Sequence, residues 1–247
     1  MKGNNMTTFD FNDGKGPVPA HQHPKGPVPA HQHPKGGGWV ADTAKVADTA
    51  YVGPDAQVSG DAKVYDNAQV FDNARVSGNA QVFDNAQVYG DAQVSGCAWV
   101  YGNAQVSENA RVYGNARVSE NAGVFSNAWV YDDAQVSGSA WVYGNAQVSG
   151  DAWVYGKAWV YGNAKVSGNA RVKDNKCPQM KRSDGYDFIA VPCSDGETRV
   201  IAGCRYFTFK EAKKHWKETR SGTPLGDETM LILKYLKKYV KMMEKPS

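Results

Sequence analysis

From Val40 to Val172 a valine stands on every sixth residue, 23 of them in fixed phase. An alanine lies two residues before each valine from Val46 onward, and only Val40 has Gly38 in that place. A period of six suits neither an α-helix at 3.6 nor a heptad. In an extended Ala-x-Val triplet, however, alanine and valine share one side and the residue between them faces the other. Each triplet therefore predicts a short strand with one buried face. The three residues between triplets are mostly Tyr, Phe or Ser, then Gly or Asp, then Asn or Asp, as in Val64-Tyr65-Asp66-Asn67-Ala68. Such residues tolerate left-handed backbone angles and turn the chain. Strand and corner then alternate, a coil closes after three hexads, and successive coils stack because no single unit can bury its own apolar face.

After Val172 the phase is lost, and a different pattern begins. Tyr186 to Cys193 and Thr198 to Thr208 read as two strands joined by the turn Ser194-Asp195-Gly196. Phe209 to Arg220 reads as a helix that Gly222-Thr223-Pro224 ends, and Gly226-Asp227 opens a final helix to about Met243. That helix places Met230, Leu233, Leu236, Tyr239, Val240 and Met243 on an apolar stripe and Lys234, Lys237, Lys238 and Lys241 on another, the ordinary form of an amphipathic helix. Before the repeat, Lys15–Pro24 recurs without change as Lys25–Pro34. Three prolines per ten residues favour an extended, polyproline-like arm, and Gly36-Gly37-Gly38 reads as a hinge. The division expected is an arm over 1–38, a solenoid over 39–176 and a small ββαα domain over 177–247. The arm and the small domain are expected to cover the open strand edges at the two ends.

On these residues the repeat resembles the hexapeptide-repeat family over 22 successive hexads, about half the chain. The resemblance implies a mainly β fold, a left-handed parallel β-helix of about seven triangular coils, whose crossovers are an exception to the usual hand. The C-terminal segment Ala202-Gly203-Cys204-Arg205-Tyr206-Phe207-Thr208 and the opening Trp39-Val40-Ala41-Asp42-Thr43-Ala44 resemble uncharacterised bacteriophage and prophage proteins, which implies a viral origin without an activity.

The residues flanking each valine point outward, and every third hexad falls on the same face. The face of Val52 gathers Phe71 and Tyr89, then Phe125, Trp141, Tyr143, Trp159 and Tyr161. The face of Val46 carries Tyr65, Phe83, Trp99 and Tyr101, then Trp153 and Tyr155. The third face is rich in serine, interrupted by Arg111, Tyr113, Trp129 and Tyr131. Stacked rings on neighbouring strands stabilise one another by about 0.2–1 kcal/mol per pair, but five rings at one end of one face exceed that need. The partner-binding candidates are therefore Phe125, Trp141, Tyr143, Trp159 and Tyr161, with Trp129, Tyr131, Trp153 and Tyr155 beside them. Gly123, in the outward slot next to Phe125, predicts a depression that a partner side chain could enter.

Charge adds little to this picture. Residues 41–172 carry 8 basic and 13 acidic side chains, and residues 173–247 carry 16 and 10, net −5 and +6. Neither value suits a DNA mimic or a committed nucleic-acid binder. The N-terminus lacks the apolar core of a signal peptide and no run is long enough to span a bilayer, so a cytoplasmic protein is expected, in the host cell if phage-encoded. Cys97, Cys177, Cys193 and Cys204 have no metal-ligand spacing and read as reduced thiols. His21/His23 and His31/His33 form two His-x-His pairs that lack acidic or thiol partners, and neither a metal nor a cofactor is expected.

Acyltransferases of the hexapeptide class use a histidine base and a loop projecting from the prism, but this chain has no histidine between His33 and His215 and no insertion among its hexads. The three coil histidines of a γ-class carbonic anhydrase are likewise missing. The reading is therefore a non-catalytic scaffold that binds protein. Its partner is a second copy of itself, as the side-by-side trimers of related prisms imply, or a host protein, such as a defence protein it inhibits. The rival is a structural or carbohydrate-binding virion component, because outward Trp and Tyr also stack on sugar rings.

Overall fold

The computed structural model describes residues 8–9, 28–173, 178–193, 196–203 and 205–243. It shows a mainly β protein, a parallel β-solenoid with a small sheet and two helices at its C-terminal end. Each triplet forms a short strand that reaches its valine, such as Gln105–Val106 and Arg111–Val112. Every strand pairs in parallel with the strand three hexads on, so that Gln87 faces Gln105 and Gln105 faces Gly123. Residue i thus lies opposite residue i+18 throughout. Three sheets result, which we name by their first valines: the Val40, Val46 and Val52 sheets, with eight, eight and seven strands of the repeat. The solenoid has between seven and eight coils.

Alanine and valine fill the interior as their alternation predicts. Every repeat valine from Val52 to Val172 is buried, and none is more than 3% exposed. The corners depend on one left-handed residue two positions after the valine, for example Glu108 at φ 57° and Gly114 at φ 71°. A side chain there costs backbone strain, and bonds between coils offset it. Asp84 Oδ2 accepts from the Gly102 N–H, and asparagines at the next position form a ladder from Asn85 through Asn103 to Asn121.

At the N-terminal end, residues 28–38 lie against the first coil. Val28–Gln32 pairs antiparallel with Trp39–Ala41, and Thr8–Phe9 pairs antiparallel with Val28–Gln32 in turn, so the first repeat strand of the Val40 sheet is covered. Lys35 C=O accepts from Val52 N–H, and Gly38 N–H donates to Val52 C=O, which closes the Val52 sheet. Gly38 is a docking point and not a free hinge, since a Cβ there would strike Gly53 O and Val52 Cγ1. The two histidines in this segment have structural partners: His31 Nδ1 meets Asp42 at 3.0 Å, and His33 is buried with its Nδ1 accepting from Lys35 N–H. His21 and His23 lie outside the described residues. The third edge, Lys45–Val46, ends its sheet with no further strand among the described residues. Val46 and Ala44 are accordingly only partly buried.

The C-terminal end is closed by an antiparallel meander of Gln179–Lys181, Asp187–Pro192, Thr198–Ala202 and Arg205–Thr208. The single strand expected over Thr198–Thr208 is two strands, because Gly203 turns the chain at φ 61°, and Gln179–Lys181 adds a fourth. The central strand is buried on both faces. Ile189 and Val191, with Cys193 and Ile201, continue the solenoid core over its last coil. Phe188 and Ala190 face the other way, with Val200 and Ala202, onto the helices.

Helix α1 is Phe209–Arg220, the range expected from its pattern, and starts with a capping box between Thr208 and Glu211. Helix α2 is Pro224–Met243 and starts two residues earlier than Gly226, because proline at the first helical position lacks an N–H the helix would not use. Thr223 Oγ1 accepts from Gly226 N–H there. The buried stripe of α2 is centred on Ile232, Leu233 and Leu236. Arg182, buried beneath it, forks onto Asp184 at 2.9 and 2.7 Å and donates to Thr229 Oγ1. These bonds hold the Asp184 carboxyl down at about 2. The meander and the solenoid are joined by Tyr206, whose hydroxyl donates to Asn169 Oδ1 at 2.8 Å and lies at hydrogen-bond distance from Cys193 Sγ.

Candidate partner-binding face

The i/i+18 register sorts the nine candidate residues onto all three faces. Phe125, Trp141, Tyr143, Trp159 and Tyr161 share the Val52 sheet, on three successive coils. Trp129 and Tyr131 lie on the Val40 sheet, and Trp153 and Tyr155 on the Val46 sheet. The structure therefore brings together the first five and separates the other four.

The rings of the Val52 face form one continuous cluster. Phe125 meets Trp141 edge-on at 5.4 Å, Trp141 and Trp159 are parallel at 5.8 Å, and Tyr143 and Tyr161 are parallel at 5.5 Å. Parallel rings at this separation are offset-stacked. Their faces are turned toward one another along the solenoid axis. Trp141, Trp159 and Tyr161 remain 45, 50 and 42% exposed.

Gly123 does not leave a depression. The Phe125 ring folds across it, and a Cβ on Gly123 would fall 2.3 Å from Phe125 Cε1. The missing side chain lets the neighbouring ring lie down and bury the glycine, which flattens the surface next to Trp141.

Three of the four separated rings have cationic neighbours one coil away. The Arg111 guanidinium lies 5.4 Å from the Trp129 ring and Arg171 lies 4.6 Å from Trp153. Lys173 Nζ lies 5.8 Å from Tyr155, and Trp99 carries Arg117 in the same way. A cation over a ring is itself a stabilising contact. These aromatics are thus already used within the molecule, and Tyr131 stacks on Tyr113, whose phenol burial pushes up to about 12.

The signal that ring counting misses is charge. Sorted by register, the outward strand positions of the Val52 face run Tyr51, Gln69, Gln87, Gln105, Gly123, Trp141 and Trp159 before the valines, and Gly53, Phe71, Tyr89, Ser107, Phe125, Tyr143 and Tyr161 after them. Neither column contains a charged residue. The Val40 face carries Arg75, Arg111 and Lys165, and the Val46 face carries Lys45, Lys63, Arg117, Arg171 and Lys173. On one face of the prism the outward strand positions hold no charged residue, and its three successive C-terminal coils gather Phe125, Trp141, Tyr143, Trp159 and Tyr161, while charges such as Asp72, Glu108 and Lys157 stand at its corners.

Among the described residues no three His, Cys, Asp or Glu side chains gather to hold a metal ion, and no helix is long and apolar enough to cross a membrane. Cys97 is an exposed free thiol and Cys193 a buried one, while Cys177 and Cys204 lie outside the described residues.

A family model described as the YdcK β-solenoid repeat matches residues 68–84, 80–96, 104–120, 110–124 and 146–162. Every match begins on the alanine of a triplet and extends over nearly one coil, so the family's repeat and this one share a phase. The chain is a β-helix repeat protein similar to that family over these stretches. No curated protein and no solved structure matches it.

Proposed function

We propose that this β-solenoid is a non-catalytic scaffold whose Val52 face docks another protein. The observation that carries the reading is the absence of charge from that face's strand positions together with three exposed aromatic side chains, Trp141, Trp159 and Tyr161, at its cap-proximal end. Interface cores are depleted in charge and enriched in Trp and Tyr, and contiguous apolar surface of several hundred Å² marks contact sites on soluble proteins. A rigid array of strands holds the rings in place before a partner arrives, which lowers the ordering cost of binding. The first partner of this reading is a second copy of the chain, laid face to face or around a threefold. The resemblance of the terminal segments to phage proteins makes a host protein, bound and inhibited without chemistry, the foreign partner.

Ring geometry weighs against the carbohydrate alternative. Sugar stacking needs ring faces laid flat toward solvent, whereas Trp141 and Trp159 turn theirs toward each other.

The test is the double substitution Trp141→Ala/Trp159→Ala, compared with the parent by light scattering and by partner recovery from cell extract. The expected result is a fall in mass to the monomer or loss of the recovered partner, with thermal stability lowered by no more than about 1–2 kcal/mol for the lost stacking. Unchanged mass and unchanged recovery would reduce the cluster to a stacking ladder.

A further inference from the structure

The helical hairpin on the outer side of the C-terminal cap carries a second surface of opposite character. A groove of about 730 Å³ runs between α1 and α2. Its walls are Lys210, Lys213 and Lys217 on α1 and four lysines between Lys234 and Lys241 on α2, all exposed, and its floor is Phe209, Met230 and Leu233. No carboxylate lines it. The acidic residues of the two helices lie elsewhere: Glu211 caps α1, Glu218 pairs with Lys214, Glu228 accepts from Ser183, and Asp227 sits in the first turn of α2. Seven ammonium groups along one groove repel one another and weaken the cap, a cost that a bound anionic partner would remove.

We propose that this groove binds an acidic amphipathic segment of a partner protein. Charge complementarity fixes the sign of the occupant, and the apolar floor fixes its kind. A recessed floor of Phe209, Met230 and Leu233 rewards side chains that insert, as in helix-in-groove recognition. A phosphodiester backbone has no apolar group to place there, and a bilayer surface does not enter a cleft between two helices. The walls also hold lysine alone, without the planar guanidinium forks that phosphate and base recognition favour. From Met230 to Lys241 the floor and wall extend about 16 Å, close to three helical turns, so a short helix of alternating Glu and Leu faces matches its length.

The test uses the full chain and four labelled or sedimentable probes: an amphipathic Glu/Leu helical peptide of about four turns, the same peptide with Ser for Leu, a short DNA duplex, and phosphatidylserine/phosphatidylcholine vesicles. Binding is read by fluorescence anisotropy and, for vesicles, by co-sedimentation, at low and at physiological salt. The expected result is that the Glu/Leu peptide binds best and that salt weakens it. The charge reversal Lys213→Glu/Lys237→Glu is expected to lower its affinity at least about tenfold, and Met230→Ser to narrow its lead over the Ser-containing peptide, both variants keeping the parent's far-UV spectrum. The proposal is overturned if the Glu/Leu peptide does not bind at low salt, if it binds no better than its Ser counterpart, or if DNA or vesicles bind more tightly. Equal peptide affinity in the charge-reversed variant would overturn it as well.

Discussion

At the scale of single residues, the fold rests on small apolar side chains of uniform size, and each has the same neighbours one coil above and below. Val106 sits near the middle of the stack and is fully buried. Val106→Asp is expected to cost at least about 3 kcal/mol, because a carboxylate there has no partner and no route to water. Since each coil contacts only its neighbours, the damage should divide the array and broaden its melting transition. An unchanged melting curve would show that the valines do not face a dry interior. The same scale shows where sequence reading stops. That Gly123 is small was plain; that Phe125 would lie across it depends on a ring turning sideways between coils, which no periodicity encodes.

At the scale of elements, the polar part of the join between solenoid and cap is Tyr206, beside the apolar packing of Ile189, Val191 and Ile201 on the last coil. The Tyr206 phenol pKa is raised, first by burial and then by Cys193. Folded Tyr206 therefore keeps its proton at a pH where the unfolded chain, with an ordinary value of 10.0, begins to lose it. The stability tied to this group is complete below that pH and declines as pH rises through it toward the folded-state value. The urea midpoint of the parent should fall more steeply between about pH 9 and pH 11 than that of Tyr206→Phe. At neutral pH the variant should lose about 1 kcal/mol for the bonds to Asn169 and Cys193. Equal slopes would mean that Tyr206 is not held neutral at the junction. The cap itself was only half legible. The continuous run Phe188-Ile189-Ala190-Val191 announces burial on both faces, and the Thr208/Glu211 box announces α1. Gly203 looked like one glycine inside a strand, and only the pairing of Arg205 with Ala202 shows it to be a turn.

At the scale of the whole molecule, the two ends and the three faces have different tasks. The C-terminal end is sealed by the meander, the N-terminal end is covered over two sheets while Lys45–Val46 has no further strand among the described residues, and the Val52 face alone has no charge at its strand positions. The assignment of residues to faces was fully legible, since it follows from residue number alone once the coil length is known; the candidate site was spread over three faces only because rings were counted without their charged neighbours. The i/i+18 register also means that the chain behaves like a text with a reading frame. Excising one whole coil, residues 85–102, brings Asp84 next to Asn103 and returns every later residue to its own face, so the exposed tryptophans and the cap should survive in a shorter prism. Excising a single hexad, residues 97–102, keeps every valine inside but advances all later residues by one face. Trp141 and Trp159 then stand in line with Lys63 and Gln81, beneath a cap rotated by a third of a turn. Both shortened chains should fold, with similar circular dichroism. Only the whole-coil deletion should keep the docking behaviour of the parent, because the surface is written in frames of three hexads while the core is written in frames of one.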